Sequence, residues 1–487
     1  MKTKFYIHCN LDAQLQMLSP EEKPVLEKDD LWLDLTVKNE GAGLAGYGKL
    51  IACAGKLWDT AFYDNDISDG RYSKQDMASR KKEIIRILVL NLLKEYTGKK
   101  EVPWGILTGV RPAKLINYLR QKGFSTSEIN EKLLVIYCLS RDKSNLLFEI
   151  ERQQAGIKPE IKKRPFVSIF INIPFCPSRC FYCSFPGYPL STHGHLVKRY
   201  LSVLRREMQL VGDILKEKGL KIDSIYCGGG TPTVLCEEDF SALLKDIQCY
   251  LLEKQNPLEV TIESGRPETL TQQKLILMKK IGVTRICVNP QTWKQETLER
   301  IGRNHTIRDI EIAVKKVKKI RFDLNMDLIA GLPGESPEDF ARTLERTCEF
   351  QPENITIHTL ALKKASKWRA NFSVEPFSLQ VRKMLTISQD YLAKNKYLPY
   401  YLYRQKFIAG NAENTGYAVK GKFCRYNIAM MEEVQEIIGI GAGAVTRLES
   451  PDGKLFRIAN AKCPATYCNM ALEYFGKKAK IMSDVFC

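Results

Sequence analysis

Three cysteines in one short stretch carry the clearest chemistry of the sequence. Cys176, Cys180 and Cys183 lie in IFINIPFCPSRCFYCSF, separated by three and two residues, directly after an apolar run. Three thiolates in one loop can bind three irons of a [4Fe–4S] cluster and leave the fourth iron with an open coordination position. The spacing therefore predicts such a cluster. The alternatives are a chance group of buried thiols and a zinc site, which needs a fourth ligand such as the distant Cys227.

An iron with an open position predicts a chelating small molecule as its partner. The amino and carboxylate groups of the methionine in S-adenosylmethionine would suit it, and one electron from the cluster would then cleave the S–C5′ bond to a 5′-deoxyadenosyl radical. Such a radical removes hydrogen from carbons too inert for acid–base chemistry, while the protein positions and shields the reactants. Tyr182, between the second and third cysteines, is expected to reach the adenine; packing in the core is the alternative.

Glycines and polar residues follow later apolar runs. The segment CGGGTPT at 227–233 includes Gly229, Gly230 and Thr231. Glycine lets the backbone approach a ligand closely and adopt a positive φ, so its carbonyls can accept hydrogen bonds from an ammonium group; a plain tight turn is the alternative. The polar candidates further along the chain are Glu263, Gln291, Arg303 and Asp327. For each of them a structural polar role is the alternative.

Apolar runs alternate with helical patterns through this part of the chain. The predicted strands are 167–173, 222–227, 259–263, 284–288, 322–329 and 354–360. The predicted helices are 196–216, 237–252, 271–281, 292–301, 306–319 and one that starts at Ser336-Pro337. Alternation of this kind predicts an α/β fold of parallel βα units that can curl into a barrel or partial barrel. The motifs fall at the carboxyl ends of the strands, where such folds place their chemistry.

Segments on either side of this core predict two further domains. Strand-like runs at 4–8, 31–37 and 46–54 precede helical patterns at 77–96, 112–121, 125–139 and 142–153, which predicts an N-terminal α+β domain over 1–155. The charged, Gly- and Pro-bearing stretch 155–165 predicts a linker. The core is expected over 160–395. The mixed pattern of 396–487 predicts a C-terminal α/β extension that covers the substrate.

Composition narrows the class of protein. A chain of 487 residues is longer than a single hydrophobic core usually supports, so more than one domain is expected. No apolar segment has the length of a membrane helix and the N-terminus has no signal-peptide core, so we expect a cytoplasmic protein with no membrane span. The net charge of +18 predicts attraction to anions, and nucleic acid, an anionic membrane surface and a polycarboxylate metabolite would all fit; a solvated, soluble surface is the alternative. The basic residues are dispersed along the chain, which argues against nucleic acid as a partner.

Together these motifs resemble the oxygen-independent coproporphyrinogen III oxidase (dehydrogenase) family of radical S-adenosylmethionine (radical SAM) enzymes. IPFCPSRCFYCSF, GGGTPT, the interval from Gln291 to Arg303 and DLIAGLPGES match its pattern. LTGVRPAKL (107–115), IHTLALKKAS (357–366) and YLYRQKFIAGNAENTGY (401–417) resemble its HemZ-type branch. The resemblance covers nearly the whole chain. It implies a radical SAM partial (β/α)6 barrel and the oxidative decarboxylation of coproporphyrinogen III to protoporphyrinogen IX in haem biosynthesis.

The resemblance also implies roles for the matching residues. Cys176, Cys180 and Cys183 would bind the [4Fe–4S] cluster, and Gly229 and Glu263 would contact S-adenosylmethionine on it. The further matches to S-adenosylmethionine contacts are Tyr182, Gly230, Thr231, Gln291, Arg303, Asp327, Ala361 and, as a weaker match after GAGA, Val445. The implied partners are the tetracarboxylate tetrapyrrole, which suits a basic chain, and a low-potential electron donor such as flavodoxin or ferredoxin. No catalytic side chain is assigned.

The chain departs from the family pattern at several positions. Phe185 stands where the family's enzymes have a further cysteine, Phe170 where a tyrosine is expected, and Asn172 where a histidine precedes IPFC. The related haem chaperones share the missing cysteine but carry a Cys-x-His-Asn motif, for which this chain has CRYN at 424–427. Two other functions therefore stay open: a haem or porphyrin carrier that keeps the cluster without turnover, and a radical SAM enzyme that acts on RNA or another substrate.

Overall fold

The computed structural model describes residues 31–40, 43–52, 57–64, 74–98, 102–163, 165–363, 366, 368 and 378–486. These residues fall into two compact units. The first is drawn from Met1–Arg152, Val374–Arg382 and Tyr403–Glu413, and the second from Gln153–Ser373, Lys383–Leu402 and Asn414–Cys487. The strand predicted at 4–8 lies outside the described residues. Within the described ranges, none of the helices combines the length and the apolar content that crossing a membrane requires.

A three-stranded antiparallel sheet and one long helix begin the first unit. β1 (Leu31–Glu40), β2 (Gly43–Ala52) and β3 (Leu57–Asp64) pair in chain order, and helix α1 (Lys74–Thr97) packs on them. A Cβ on Gly46 would lie 2.4 Å from Ile84 Cγ2, so glycine lets the helix approach the sheet. The predicted strand at 31–37 and the predicted helix at 77–96 are confirmed as β1 and α1. The strand predicted at 46–54 is confirmed as β2 as far as residue 52, and its last two residues lie outside the described residues.

Shorter helices complete the first unit: α2 (Lys114–Gln121), α3 (Thr126–Glu131) and α4 (Arg141–Gln154). Ser125 caps α3, because its side chain accepts from Glu128 N–H while the Glu128 carboxylate accepts from Ser125 N–H. The single helix predicted at 125–139 is instead α3 followed by a π-helical turn at Lys132–Ile136.

An eleven-stranded sheet forms the second unit, and its central strands are parallel. They are β4 (Phe166–Ile173), β7 (Lys221–Gly229), β8 (Glu259–Glu263), β9 (Arg285–Cys287), β10 (Asp323–Ala330) and β11 (Asn354–Thr359). These six strands lie side by side in chain order, so their carboxyl ends share one edge. The predicted α/β class and its six core strands are confirmed. After β4, the short strands β5 (Phe175–Cys176) and β6 (Tyr188–Pro189) pair with each other.

Helices alternate with the parallel strands, as predicted. They are α5 (Lys158–Ile161), α6 (Leu190–His193), α7 (Val197–Glu217), α8 (Glu237–Ile247), α9 (Gln272–Lys280), α10 (Gln295–Arg300), α11 (Ile307–Lys319), α12 (Pro337–Glu349) and α13 (Ser378–Lys394). Ser336 caps α12 with a capping box, which confirms the predicted Ser336-Pro337 start. α10 begins later than the predicted residue 292, because Gln291 has a φ of +69° and bridges to Leu328 of β10.

Strands from the last part of the chain extend the same sheet at both edges. β12 (Leu398–Tyr403) and β13 (Asn414–Ala418) lie beyond β11, while β14 (Ile437–Ile440), β15 (Val445–Glu449) and β16 (Leu455–Ala459) lie beyond β4. The helices of this part are α14 (Arg425–Glu432), α15 (Pro464–Asn469) and α16 (Ala471–Val485). Its predicted mixed α/β character is confirmed. The division into domains at 1–155, 160–395 and 396–487, with a substrate-covering role for the last, stays a prediction.

Candidate functional site

The three predicted cluster cysteines lie in the segment that follows β4, at the carboxyl edge of the sheet. Cys176 ends β5; Cys180 is buried, whereas Cys176 and Cys183 are partly exposed. The Thr231 hydroxyl donates to Cys176 Sγ at 3.8 Å, and the Arg266 guanidinium donates to Cys180 Sγ at 3.7 Å. The segments that follow β7 and β8 therefore contact the cysteine loop through its sulfur atoms.

Burial favours the protonated form of two of these thiols, those of Cys176 and Cys183. Burial raises the pKa of Cys176 to about 11, although the hydrogen bond from Thr231 opposes this. Burial and the charge of Cys180 raise the pKa of Cys183. The thiols thus lie close enough to influence one another, and iron binding would displace their protons. Within the described ranges no group of three or more His, Cys, Asp or Glu side chains is arranged so that it could hold a single metal ion.

The predicted glycine loop continues from the end of β7. Gly229 has a φ of +96°, and a Cβ there would lie 1.6 Å from Asn172 Oδ1. A Cβ on Gly230 would lie 2.5 Å from the carbonyl oxygen of Phe175. That oxygen also accepts from Thr231 N–H at 2.7 Å. Glycine is therefore required at both positions, and it lets this loop lie directly against the cysteine loop.

Glu263 ends β8 beside the glycine loop. Its Oε1 accepts from the Tyr226 hydroxyl at 2.6 Å, and its Oε2 accepts from Gly229 N–H at 3.2 Å. Burial raises the pKa of Glu263 to about 7; the charge of Asp327 adds to this, and the two hydrogen bonds oppose it. A positively charged ligand would favour the ionised form of such a buried carboxyl group.

Asp327 lies in β10, and Gln291 joins the same strand after the end of β9. Burial tends to raise the pKa of Asp327, but His358 and Asn325 lower it below its ordinary value. Asn325 Nδ2 donates to Asp327 Oδ1 at 2.9 Å, and Gln291 N–H donates to the Asp327 carbonyl at 2.9 Å. The structure thus places Glu263, Gln291 and Asp327 on or just after three neighbouring strands.

Tyr182 and Arg303 pair within the site. Arg303 Nη2 donates to the Tyr182 hydroxyl at 3.3 Å, while Nη1 donates to the carbonyls of Gly265 at 3.1 Å and Asn289 at 2.5 Å. Burial raises the pKa of Tyr182, so the phenol is neutral. Arg303 therefore links the cysteine loop to the ends of β8 and β9.

The last two predicted ligands lie after β11 and on β15. Ala361 follows β11, where Leu360 N–H donates to the Ala330 carbonyl at 2.9 Å. Val445 is the first residue of β15 and is 43% exposed. Their roles as ligands stay predictions, as do the roles of the other predicted site residues.

Several buried polar atoms at this edge have no hydrogen-bond partner among the described residues. They are Asn172 Oδ1, Ser264 Oγ, Asn289 Oδ1, Gln291 Oε1 and Arg303 Nε. Buried polar groups are normally satisfied, so this set of donors and acceptors fits a polar ligand such as S-adenosylmethionine. Of these five residues, the sequence patterns indicated only Gln291 and Arg303 as ligands. Asn172, Ser264 and Asn289 were missed, although each lies close to the end of a core strand.

Three aromatic rings pack together, and one of them, Tyr226, donates its hydroxyl to Glu263. The ring centroids of Phe170 and Tyr226 are 6.3 Å apart, those of Phe170 and Tyr426 are 6.1 Å apart, and those of Tyr226 and Tyr426 are 4.7 Å apart. Phe170 and Tyr226 are direct neighbours across β4 and β7. Although Phe170 replaces the tyrosine that the family resemblance implies, the adjacent strand supplies a tyrosine hydroxyl beside Glu263.

Comparison with known proteins yields one family model and several relatives. The model described as the Radical SAM superfamily matches residues 171–347. The chain is 37% identical over 469 residues to the oxygen-independent coproporphyrinogen-III oxidase-like protein HemZ of Bacillus subtilis, which covers 94% of this chain and 92% of that protein. It is 26% identical over 306 residues to the heme chaperone HemW of Escherichia coli, covering 62% of this chain and 75% of that protein.

A solved structure shares the fold. Coproporphyrinogen III oxidase (HemN) from Escherichia coli, a radical SAM enzyme, aligns with a TM-score of 0.51 at 21% identity, covering 66% of this chain and 72% of that one. At this identity the likeness concerns the fold alone.

Proposed function

The chain belongs to the radical SAM superfamily and to the family of the oxygen-independent coproporphyrinogen-III oxidase-like protein HemZ, and from this premise we propose that it oxidatively decarboxylates coproporphyrinogen III to protoporphyrinogen IX. The observation that carries the proposal is the 37% identity that extends over 94% of the chain. The three thiols at the carboxyl edge of the sheet support it.

The cofactors of this family are a [4Fe–4S] cluster and S-adenosylmethionine. Cys176, Cys180 and Cys183 would hold the cluster, and the buried polar atoms without a partner would hold S-adenosylmethionine. When bound, these cofactors supply one-electron chemistry that removes a hydrogen atom from an unactivated carbon.

The chain's own residues would bind and orient the ligand and exclude water. Glu263 and Asp327 would place negative charge near the ammonium and sulfonium groups. The backbone at Gly229 and Gly230 would accept or donate hydrogen bonds at close approach. Arg303, which is only 5% exposed, would help to keep water from the ligand, and exclusion of water protects reactive species from side reactions.

The proposed reaction balances for each propionate. For each propionate, one S-adenosylmethionine and one electron would be consumed, methionine and 5′-deoxyadenosine would be released, and the propionate would lose its β-hydrogen, CO2 and one electron to become a vinyl group. The departing electron would pass to a one-electron acceptor, such as the oxidised form of the carrier protein that supplies the first electron. A low-potential donor such as flavodoxin or ferredoxin would supply the electron that begins each cycle, and the substrate passes through the cycle twice.

The test is an anaerobic assay of the reconstituted full chain. S-Adenosylmethionine, a low-potential reductant and coproporphyrinogen III are added, and protoporphyrinogen IX and 5′-deoxyadenosine are followed by mass spectrometry. We expect two molecules of 5′-deoxyadenosine for each protoporphyrinogen. Cys180→Ala should abolish both products, whereas the exposed Cys249 provides a matched control, Cys249→Ala, that should retain them.

Two other results would contradict the proposed reaction and support a different function. Cleavage of S-adenosylmethionine with an unchanged tetrapyrrole would refute the substrate and leave the radical chemistry in place. Tight retention of porphyrin without 5′-deoxyadenosine would favour the second candidate, a haem or porphyrin carrier. The likeness to HemW favours that candidate, as does Phe185, which is 65% exposed close to Cys183 where a cysteine was expected.

A further inference from the structure

A buried arginine after β8 contacts the cysteine loop at three points. Arg266 is only 3% exposed. Its Nη1 donates to the Ser178 carbonyl at 3.2 Å and to Cys180 Sγ at 3.7 Å, and its Nη2 donates to Ser178 Oγ at 3.1 Å. One planar guanidinium thus fixes both the backbone of the loop and the sulfur of its middle cysteine.

A second edge of this guanidinium, formed by Nε and Nη2, meets a carboxylate. Arg266 Nε donates to Glu268 Oε1 at 2.9 Å, and Nη2 lies 2.8 Å from the same oxygen. The second carboxylate oxygen, Oε2, lies 2.9 Å from Nδ1 of His305, which is 1% exposed. Burial tends to raise the pKa of Glu268, but His305 and Arg266 lower it to about 2, so Glu268 is ionised at neutral pH. Burial lowers the pKa of His305, which favours its neutral form.

We propose that Arg266 is a positioning residue for Cys180 that also raises the reduction potential of the bound cluster, and that Glu268 limits this effect. The inference rests on the proposed function only through the assignment of Cys180 as a cluster ligand. It concerns neither the substrate nor the S-adenosylmethionine site.

Electrostatics determines whether each of the two residues raises or lowers the reduction potential of the cluster. Reduction adds one negative charge to the cluster, and hydrogen bonds and positive charge at the ligand sulfurs favour the reduced state. The Arg266 guanidinium places a positive charge beside Cys180 Sγ. The ionised Glu268 offsets part of that charge, since it contacts Nε and Nη2 of the same guanidinium. Removing Arg266 should therefore lower the potential, whereas neutralising Glu268 should raise it.

The experiment compares variants of the reconstituted full chain without S-adenosylmethionine or substrate. Iron and sulfide per chain are measured first, and the reduction potential is then determined by a redox titration followed by electron paramagnetic resonance. For Arg266→Gln we expect the one-electron reduction equilibrium to become less favourable by about tenfold, which corresponds to about 59 mV. For Glu268→Gln we expect a shift of the opposite sign. Arg205→Gln, which removes a surface ion pair with Asp246, should leave the potential unchanged.

Opposite shifts support the inference, because a purely structural role of Arg266 would not make Glu268→Gln raise the potential. Full cluster content with an unchanged potential in both variants would overturn it, as would shifts of the same sign. If Arg266→Gln fails to hold a cluster, Glu268→Gln decides: a rise supports the inference, and no change or a fall refutes it. If the unaltered chain itself assembles no cluster, this result refutes the assignment of Cys180 as a cluster ligand, on which the inference rests.

Discussion

A carboxyl group with a pKa of about 7 changes its charge within the pH range in which enzymes are usually assayed, and Glu263 is such a group. S-Adenosylmethionine carries an ammonium and a sulfonium group, so the ionised carboxylate should bind it better. The ionised share of such a group rises from about one tenth at pH 6 to about nine tenths at pH 8. We therefore expect the affinity of the cluster-loaded protein for S-adenosylmethionine to rise about tenfold over this range, measured by equilibrium dialysis.

The contribution of Glu263 to the free energy of unfolding of the ligand-free protein should change in the opposite direction and fall as the pH rises. The ordinary pKa of this carboxyl group is 4.5, below its value in the folded chain. Between these two values the folded state keeps a proton that the unfolded state has released, so the contribution of Glu263 to the free energy of unfolding falls as the pH rises.

Glu263→Gln should remove the pH dependence of S-adenosylmethionine binding. Equal affinities of the unaltered protein at pH 6 and pH 8 would contradict this role of Glu263.

Gly229 offers a test of close backbone approach at the predicted ligand site. Its φ is +96°, and a Cβ would lie 1.6 Å from Asn172 Oδ1. Gly229→Ala should therefore displace Asn172 and weaken S-adenosylmethionine binding at least tenfold, with a loss of more than about 1 kcal/mol of stability from backbone strain alone. Binding by dialysis and unfolding by urea would measure the two effects.

Gly219 provides the matched control for this substitution. It also has a positive φ, +62°, but nothing lies within 4 Å of a Cβ built there. Gly219→Ala should cost about 1 kcal/mol of backbone strain and leave S-adenosylmethionine binding intact. Similar binding losses in both variants would show that general strain, and not the contact with Asn172, explains the effect at Gly229.

Among the elements, α16 is tied to α7 and to the end of β14 through a buried ion pair. Lys478 of α16 and Glu207 of α7 are both fully buried and pair with each other. Lys478 Nζ also donates to the Gly439 carbonyl at 2.6 Å, and Glu207 Oε2 accepts from Gly441 N–H at 2.7 Å. The pair therefore holds the glycine-rich turn after β14, whose Ala442 carbonyl accepts from the side chain of Asn172.

Removing one partner of this pair should be costly. Lys478→Met leaves the Glu207 carboxylate buried without its cation, and we expect a loss of about 3 kcal/mol in the free energy of unfolding. The double variant Glu207→Gln, Lys478→Met should recover part of this loss, since no uncompensated charge remains. Urea unfolding of the single and double variants measures both effects. A double variant less stable than Lys478→Met would show that the carboxylate's hydrogen bonds matter more than its unpaired charge.

Elements that are specified by residues close to one another in the chain could be predicted from the sequence. The strand predicted at 259–263 is β8 itself, and Ser336 caps α12 as expected. Apolar runs and caps depend on neighbours in sequence, so a single chain displays them directly. The three cysteines belong to the same class, because their spacing alone indicates the chemistry.

Features that depend on distant partners could not be predicted in this way. β14 is only four residues long and forms by pairing with β4, far away in sequence. Arg266 contacts Cys180 across a separation of 86 residues, and Asn172 meets Gly229 only because β4 and β7 are adjacent. No local pattern marks such pairs, and the start of α10 was misplaced for the same reason, since the bridge of Gln291 to β10 is a tertiary contact.

At the scale of the whole molecule, the net charge of +18 sets the expected response to salt. Long-range attraction between a basic protein and an anionic ligand accelerates association and is screened by ions. If the substrate is a tetracarboxylate, its association rate should fall steeply between low and physiological ionic strength. The stable porphyrin with the same four carboxylates, coproporphyrin III, allows this to be measured by stopped-flow fluorescence.

A dicarboxylate porphyrin supplies the control for this prediction. Protoporphyrin IX carries half as many carboxylates, so the logarithm of its association rate should depend on ionic strength with about half the slope, because each ligand charge contributes to the screened attraction. Equal slopes for the two porphyrins would show that the ring, and not the carboxylates, governs recognition. Such a result would count against a decarboxylase that selects propionate-bearing substrates and would favour a carrier that binds the macrocycle.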